Sequence, residues 1–202
     1  MLYITFYSDK AKRIGQNMKR SLLPLILVLF FVGCQSKNNV INLYSYNAMP
    51  KVSTSLKSVY IEGVKDSRTN DNLVGVIKAN DGSIKEYVVL ENDLSLWLKD
   101  AITKELNSIG ISVKADPSVD ASVLLDIKEF SAVLEGFDKD NLKASANVEV
   151  IVTKGNTIIK NQVSQKQSEF VVMKKGSAFS PFMQNLLNDI VKKSAQQIKN
   201  SI

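Results

Sequence analysis

The hydrophobic pattern of this chain changes period several times, and each change marks an element. Residues 22–32 are apolar at every position. From about residue 55 onward, alternation takes over. Residues 55–64 read as a strand with Val59, Ile61 and Gly63 on one side and Tyr60 and Val64 on the other. Residues 74–79 and 84–90 flank Asn80-Asp81-Gly82-Ser83, where Asp-Gly supplies the positive φ that a tight hairpin needs. The period then switches to that of a helix. Over 93–109, Leu94, Trp97, Leu98, Ala101, Ile102, Leu106 and Ile109 recur at three- and four-residue spacing and share one face. Asn92 or Asp93 can cap its start, and Gly110 follows its end. Residues 111–113 form a short strand leading to Asp116-Pro117.

Three long strands are expected next. In 121–133, Val123, Leu125 and Ile127 face one way and Leu124 and Phe130 the other. In 142–153, Leu142, Ala144, Ala146, Val148, Val150 and Val152 oppose Lys143, Ser145, Asn147 and Glu149. One covered and one wet face is the habit of antiparallel sheets. Lys154-Gly155-Asn156 is a turn, and 157–172 is polar in its middle, as edge strands are. A last helix opens at Ser180-Pro181, with Met183, Leu186, Leu187, Ile190, Val191 and Ile198 as its stripe. Two amphipathic helices bury both stripes most economically on one face of a sheet. The expected fold is therefore α+β, an antiparallel (mixed) sheet with both helices packed on one face.

The uninterrupted apolar run has a different meaning. Its 11 residues are too few for a membrane span, which needs about 20. Lys19 and Arg20 precede it, and Val32-Gly33-Cys34 ends it. A basic stub, a short apolar core and small residues before a cut describe a secretory signal peptide. Val32-Gly33-Cys34 resembles the lipobox of bacterial lipoproteins. That resemblance implies a diacylglyceryl group on the Cys34 thiol, cleavage between Gly33 and Cys34, and acylation of the new amine. Met18-Lys19-Arg20 makes a compact start, so 1–17 read as an upstream extension or a long n-region. The expected organisation is then 18–33 as signal, 34–54 as a polar, lipid-anchored tether and 55–202 as a single periplasmic domain. Gln35 follows the cysteine, where the inner-membrane retention signal of enteric bacteria is an aspartate. The expected location is the outer membrane, facing the periplasm.

Charge adds little. The chain is +6, but residues 1–33 hold five of its 26 basic residues and one of its 20 acidic ones. The part after the cut has 21 against 19, a net +2 with no basic patch, so no nucleic-acid partner is expected. Cys34 is the only cysteine, and there is no histidine. This removes internal disulfides, cysteine nucleophiles, Ser-His-Asp catalysis and the usual zinc sites. Phosphate loops, dinucleotide fingerprints and EF-hands are absent from the sequence, so no cofactor and no enzymatic activity are expected. Asp138-Lys139-Asp140-Asn141 resembles half a calcium loop but reads better as a hairpin turn.

The best polar cluster is Lys65-Asp66-Ser67-Arg68 with Asp71. It has two readings. Asp66 and Arg68 can clamp a loop, the carboxylate accepting N–H groups and the guanidinium offering a planar fork. Alternatively, Asp66, Arg68 and Asp71 form a docking site on an exposed loop. The clamp is preferred, because no histidine or thiol stands ready to join the pair.

Several stretches together resemble the YajG family of bacterial lipoproteins. They are FVGC, VYIEGVKDSRTNDNLVGV, LSLWLKDAITKELNSIGISV, the paired long strands and the carboxy-terminal helix. The closest local matches are Asp66 and Arg68 followed by Gly75, and the helix ending in Leu106 and Gly110. This loop lacks a proline after Arg68. The resemblance implies a location and a fold and no activity. The expected role is that of a non-enzymatic envelope lipoprotein, held to the membrane through Cys34, that binds or scaffolds another envelope protein or a lipid. The alternative is an accessory lipoprotein of lipid or lipopolysaccharide transport to the outer membrane.

Overall fold

The elements follow the order that the pattern implies, with one addition at the start. The computed structural model describes residues 38–49, 57–137, 140–172 and 175–202. They run β1 (Asn38–Ile41), β2 (Ser58–Asp66), β3 (Leu73–Lys78), β4 (Ile84–Leu90), α1 (Leu94–Ser108), β5 (Ser112–Lys114), β6 (Ala121–Leu134), β7 (Leu142–Lys154), β8 (Thr157–Glu169) and α2 (Phe179–Ser201). A 3-10 turn, Gly176–Ala178, leads into α2. Gly33, Cys34 and the rest of the signal lie outside the described residues, as do 35–37 and 50–54 of the expected tether and 55–56 at the start of the expected first strand.

The remainder of that tether departs from the expectation. β1 pairs in parallel with β4, and residues 42–49 form a strap against the helices. Ile41, Leu43 and Tyr46 are buried in the core. The Asn-rich composition hides these three side chains, whose burial outweighs the cost of ordering the segment. Side chains satisfy its backbone. The Leu43 N–H donates to Asn92 Oδ1 and the Tyr44 N–H to Gln184 Oε1 (2.8 Å). The Tyr44 carbonyl accepts from Trp97 Nε1 at 2.8 Å.

One strand organises the sheet. β6 pairs with β7 along almost its whole length, antiparallel, and β8 lies outside β7 as an edge. The other side of β6 carries two strands in series, β2 beside Ala121–Ile127 and β3 beside Ala132–Leu134, both parallel to it. β5 extends the sheet from β2, while β4 and then β1 extend it from β3. The sheet is therefore mixed. The antiparallel habit read from the alternation holds for β3–β4 and β6–β7–β8, whereas β1, β2, β5 and the β3–β6 pair run parallel. Alternation reports which face is covered and not the direction of the neighbour.

Two irregularities change side-chain parity. The β6–β7 register shifts between Ile127 and Glu129, so Phe130 pairs with Ala146 and joins Val123, Leu125 and Ile127 on the covered face. The β2–β6 register shifts between Ile61 and Gly63, which brings Val64 beside Leu125 and against the core. Strict alternation placed both residues on the opposite side. One extra residue in a strand reverses the parity of everything after it.

Both helices pack on this covered face, α1 against β2 and β5, α2 against β7 and β8, and each against the other. Leu98, Ile102 and Leu106 of α1 and Leu186, Leu187, Ile190 and Val191 of α2 are buried together. Trp97 is only partly buried, its ring edge-on to Tyr46 at 6.5 Å, so it faces the strap. Asp93 caps α1, its carboxylate accepting from the Leu96 N–H at 2.9 Å, and Gly110 follows at φ 89°. Ser180 does not cap α2. The helix begins one residue earlier, and the Ser180 hydroxyl donates to the Asn42 carbonyl at 2.7 Å. β3 presses against the start of α2, where a Cβ on Gly75 would stand 2.6 Å from the Phe179 ring.

Candidate functional site

The chain leaves the edge of β6 at Asp66 and rejoins it at Gly75. Between these points the carbonyls of β6 would face no strand. The intervening loop fills part of that gap. Its Ser67 N–H donates to the Ile127 carbonyl at 3.0 Å, and Arg68 Nη1 reaches the Phe130 carbonyl at 3.4 Å. Arg68 thus supplies with its side chain a donor that an uninterrupted strand would supply with its backbone.

Asp66 holds Arg68 in that position. Arg68 Nε donates to Asp66 Oδ1 at 2.9 Å and Nη2 to Oδ2 at 2.6 Å, a forked pair. The Arg68 N–H closes the turn on Asp66 Oδ1 at 3.1 Å. The guanidinium also lies 5.9 Å from the Phe130 ring centre. The side chains are only 7% exposed for Arg68 and 13% for Asp66, so the pair is largely withdrawn from water. Asp71 enters only through its backbone carbonyl, which accepts from Arg68 Nη2. Its carboxylate is not part of the arrangement, and the three residues do not present a carboxylate pair.

A second polar group adjoins the first and was not singled out in the sequence. Asp126 on β6 is buried. Burial opposes its charge, but bonds from Lys128 and Ser67 outweigh it and hold the carboxyl below the usual value. Lys128, the extra residue of the β6 irregularity, lies 2.5 Å from Asp126 and 3.6 Å from Glu149. The only sequence signal was an Asp interrupting the apolar run from Val123 to Ile127. A third pair lies under the strap, where the Tyr46 hydroxyl donates to Glu105 Oε2 at 2.7 Å. Burial first, and then that carboxylate, push the Tyr46 hydroxyl well above the ordinary phenol value. Glu105 was not singled out either, although its place between Ile102 and Leu106 on the apolar stripe of α1 is the signal for it.

Among the described residues, hollows open on the surface. One, of about 650 Å³, is lined by Phe170, Val171, Val172, Ala178 and Phe182 at the junction of β8 and α2. Another, of about 490 Å³, lies on the wet face of the sheet by Ser131, Lys143, Ser145 and Lys166. Among the described residues no cluster of acidic, histidine or cysteine side chains has the spacing to hold a metal ion. Among the same residues no helix is long and apolar enough to cross a membrane.

Residues 50–199 match the family described as uncharacterised lipoprotein, Lipoprotein_16. The chain belongs to this lipoprotein family. It is the YajG family named from the sequence, and the match covers most of the folded domain. No curated protein matches the chain in sequence. Among solved structures, the chain is similar to protein XCC0632 from Xanthomonas campestris, of the DUF330 family. The two are 11% identical with a TM-score of 0.57, over 80% of this chain and 99% of that one. An uncharacterised protein is 14% identical with a TM-score of 0.55, over 81% and 100%. At these identities the likeness concerns the fold alone. A minor lipoprotein from Acinetobacter baumannii is 14% identical over 72% of this chain and 94% of that one, at a TM-score of 0.44.

Proposed function

We propose that this lipoprotein is held by acyl chains on Cys34 in the inner leaflet of the outer membrane, faces the periplasm, and acts without catalysis by binding or scaffolding another envelope component. The observation that carries the reading is a lipobox, Val32-Gly33-Cys34, placed shortly before a domain that belongs to a lipoprotein family. Three acyl chains on one residue make a stable anchor, where a single chain would exchange. The polar groups support binding over chemistry. Asp66 and Arg68 are occupied by each other and Tyr46 by Glu105, and the chain has neither histidine nor a second cysteine to act as base or nucleophile. Gln35 after the lipidated residue favours the outer membrane.

Fractionation of cells tests the anchor. Wild-type protein should separate with the outer membrane, and Cys34→Ser should accumulate uncleaved or leave that fraction. Normal processing and outer-membrane recovery of Cys34→Ser would contradict the proposal. Crosslinking in intact cells tests the binding role, with a discrete crosslinked species expected for the wild type and none for Cys34→Ser.

A further inference from the structure

The register of β1 fixes where the chain enters the domain. Asn38 pairs with Tyr87, and β1 runs parallel to β4, so the chain arrives from the side of Ile84, where β4 begins. Three other connections lie at this entry end. Lys78 pairs with Ile84, Leu134 with Leu142 and Leu142 with Glu169, and Ile77 stands beside Leu134. The β3–β4 turn, the β6–β7 link and the β8–α2 link therefore come together. A Lys78–Glu135 ion pair of 2.9 Å ties the first two. Asn141, itself buried, ties the last two by a pair of 2.8 Å bonds with the Val171 backbone.

These connections carry four large apolar side chains in water. Ile84 is 49% exposed, Phe137 66%, Phe170 52% and Val172 77%. Each lies in or beside a connection. An exposed apolar group of this kind at one end of a domain marks a contact surface.

The length of chain before Asn38 says what the surface meets. Cys34 is four residues upstream, and four residues reach at most about 14 Å. The opposite end of the domain is out of range. Ala132 stands beside Gly75, level with the partner strand of β1, and β6 begins 11 residues away at Ala121, about 36 Å at about 3.3 Å per residue. Acyl chains on Cys34 therefore keep the entry end at the bilayer and turn the opposite end away from it.

We infer that the entry end seats on the lipid bilayer, with Ile84, Phe137, Phe170 and Val172 entering the boundary between headgroups and acyl chains. The inference rests on the acylation of Cys34 proposed above. The exposed charges beside these residues are of both signs, Lys85 and Lys175 against Asp81 and Glu169, so the contact is apolar and withstands salt. The seated domain stands with its sheet and helices directed away from the membrane and with Ile158, at the other end of β8, remote from lipid.

The acylated protein itself supplies the test. Phe137→Trp, Phe170→Trp and Ile158→Trp each replace an exposed side chain, and the signal of Trp97 is common to all three. The variants are reconstituted in vesicles of phosphatidylethanolamine and phosphatidylglycerol, with and without lipid brominated on its acyl chains. Bromine should quench the tryptophans at 137 and 170 several-fold more than that at 158, and high salt should not change this. Equally weak quenching at all three positions, in protein whose mass shows lipid on Cys34, would overturn the seating alone. Release of the quenching by salt would overturn its apolar character. Protein whose mass shows no lipid on Cys34 would overturn the anchor, and the seating with it.

Discussion

Asp66→Asn should destabilise the fold far more than a change on an exposed loop. The substitution keeps the shape of the side chain but removes its charge and turns one acceptor oxygen into a donor. Arg68 then loses the 2.6 Å or the 2.9 Å bond of its fork while its side chain stays 7% exposed. It cannot simply swing into water, because it also holds the Phe130 and Asp71 carbonyls across the gap between β2 and β3. Removing one partner of a buried ion pair costs about 3–5 kcal/mol. The pair lies at the border of the sheet, so the lower figure, about 3 kcal/mol, is expected. With an m-value of about 2 kcal/mol/M, the urea midpoint should fall by about 1.5 M. The companion variant replaces both partners, Asp66→Leu with Arg68→Met. It should recover most of the loss, since an apolar pair of similar volume leaves no unpaired charge. Urea unfolding followed by circular dichroism measures the wild type, Asp66→Asn and the double variant. A loss below about 0.5 kcal/mol for Asp66→Asn would refute the clamp, because that is the size of ordinary surface effects. The loop would then be free to serve as a docking site.

Leu106→Ala should cost about 2–5 kcal/mol in the same assay, because Leu106 is fully buried between α1 and the sheet; a surface-sized change would mean that α1 is turned otherwise. Gly75→Ala should cost about 1–3 kcal/mol, since the new Cβ meets the Phe179 ring on one side and the Ala132 carbonyl on the other. Phe179→Leu should relieve part of that cost, and a neutral Gly75→Ala would show that β3 does not press on α2. Stability should fall in acid. Ser58 lowers the Asp120 pKa through its backbone N–H and hydroxyl, Lys78 lowers that of Glu135, and Lys128 and Ser67 lower that of Asp126 against its burial. A depressed folded pKa gives stability that is full above the ordinary value, 3.8 for Asp and 4.5 for Glu, and is lost as pH falls through the folded value. Thermal melting should therefore hold steady down to about pH 5 and then decline, less steeply in Asp126→Asn; an acid limb identical in that variant would contradict the assignment.

α1 was legible in the sequence because a long amphipathic stripe bound by Asp93 and Gly110 leaves little choice, and α2 was legible from its stripe, though not from its cap. β7 was legible for the same reason, its alternation being unbroken from Leu142 to Val152. Phe130 and Val64 were not, since a one-residue irregularity leaves no trace in composition and reverses parity downstream. The parallel placement of β2 and β3 along one edge of β6 depends on where a six-residue loop returns the chain, which is a long-range property. Residues 38–49 looked like tether because Asn dominates them, while three buried side chains decide their fate. The Asp66–Arg68 pair was visible as a motif. That it bridges an interruption in the sheet required knowing that β6 runs behind it. Cys34 lies outside the described residues, and its reading rests on the sequence alone.

The mass of the amino-terminal peptide of the protein extracted from membranes tests the lipid anchor on Cys34. The peptide should begin at Cys34 and carry a diacylglyceryl thioether together with an acylated amine. An unmodified Cys34 preceded by Gly33 in the membrane-extracted protein would contradict it.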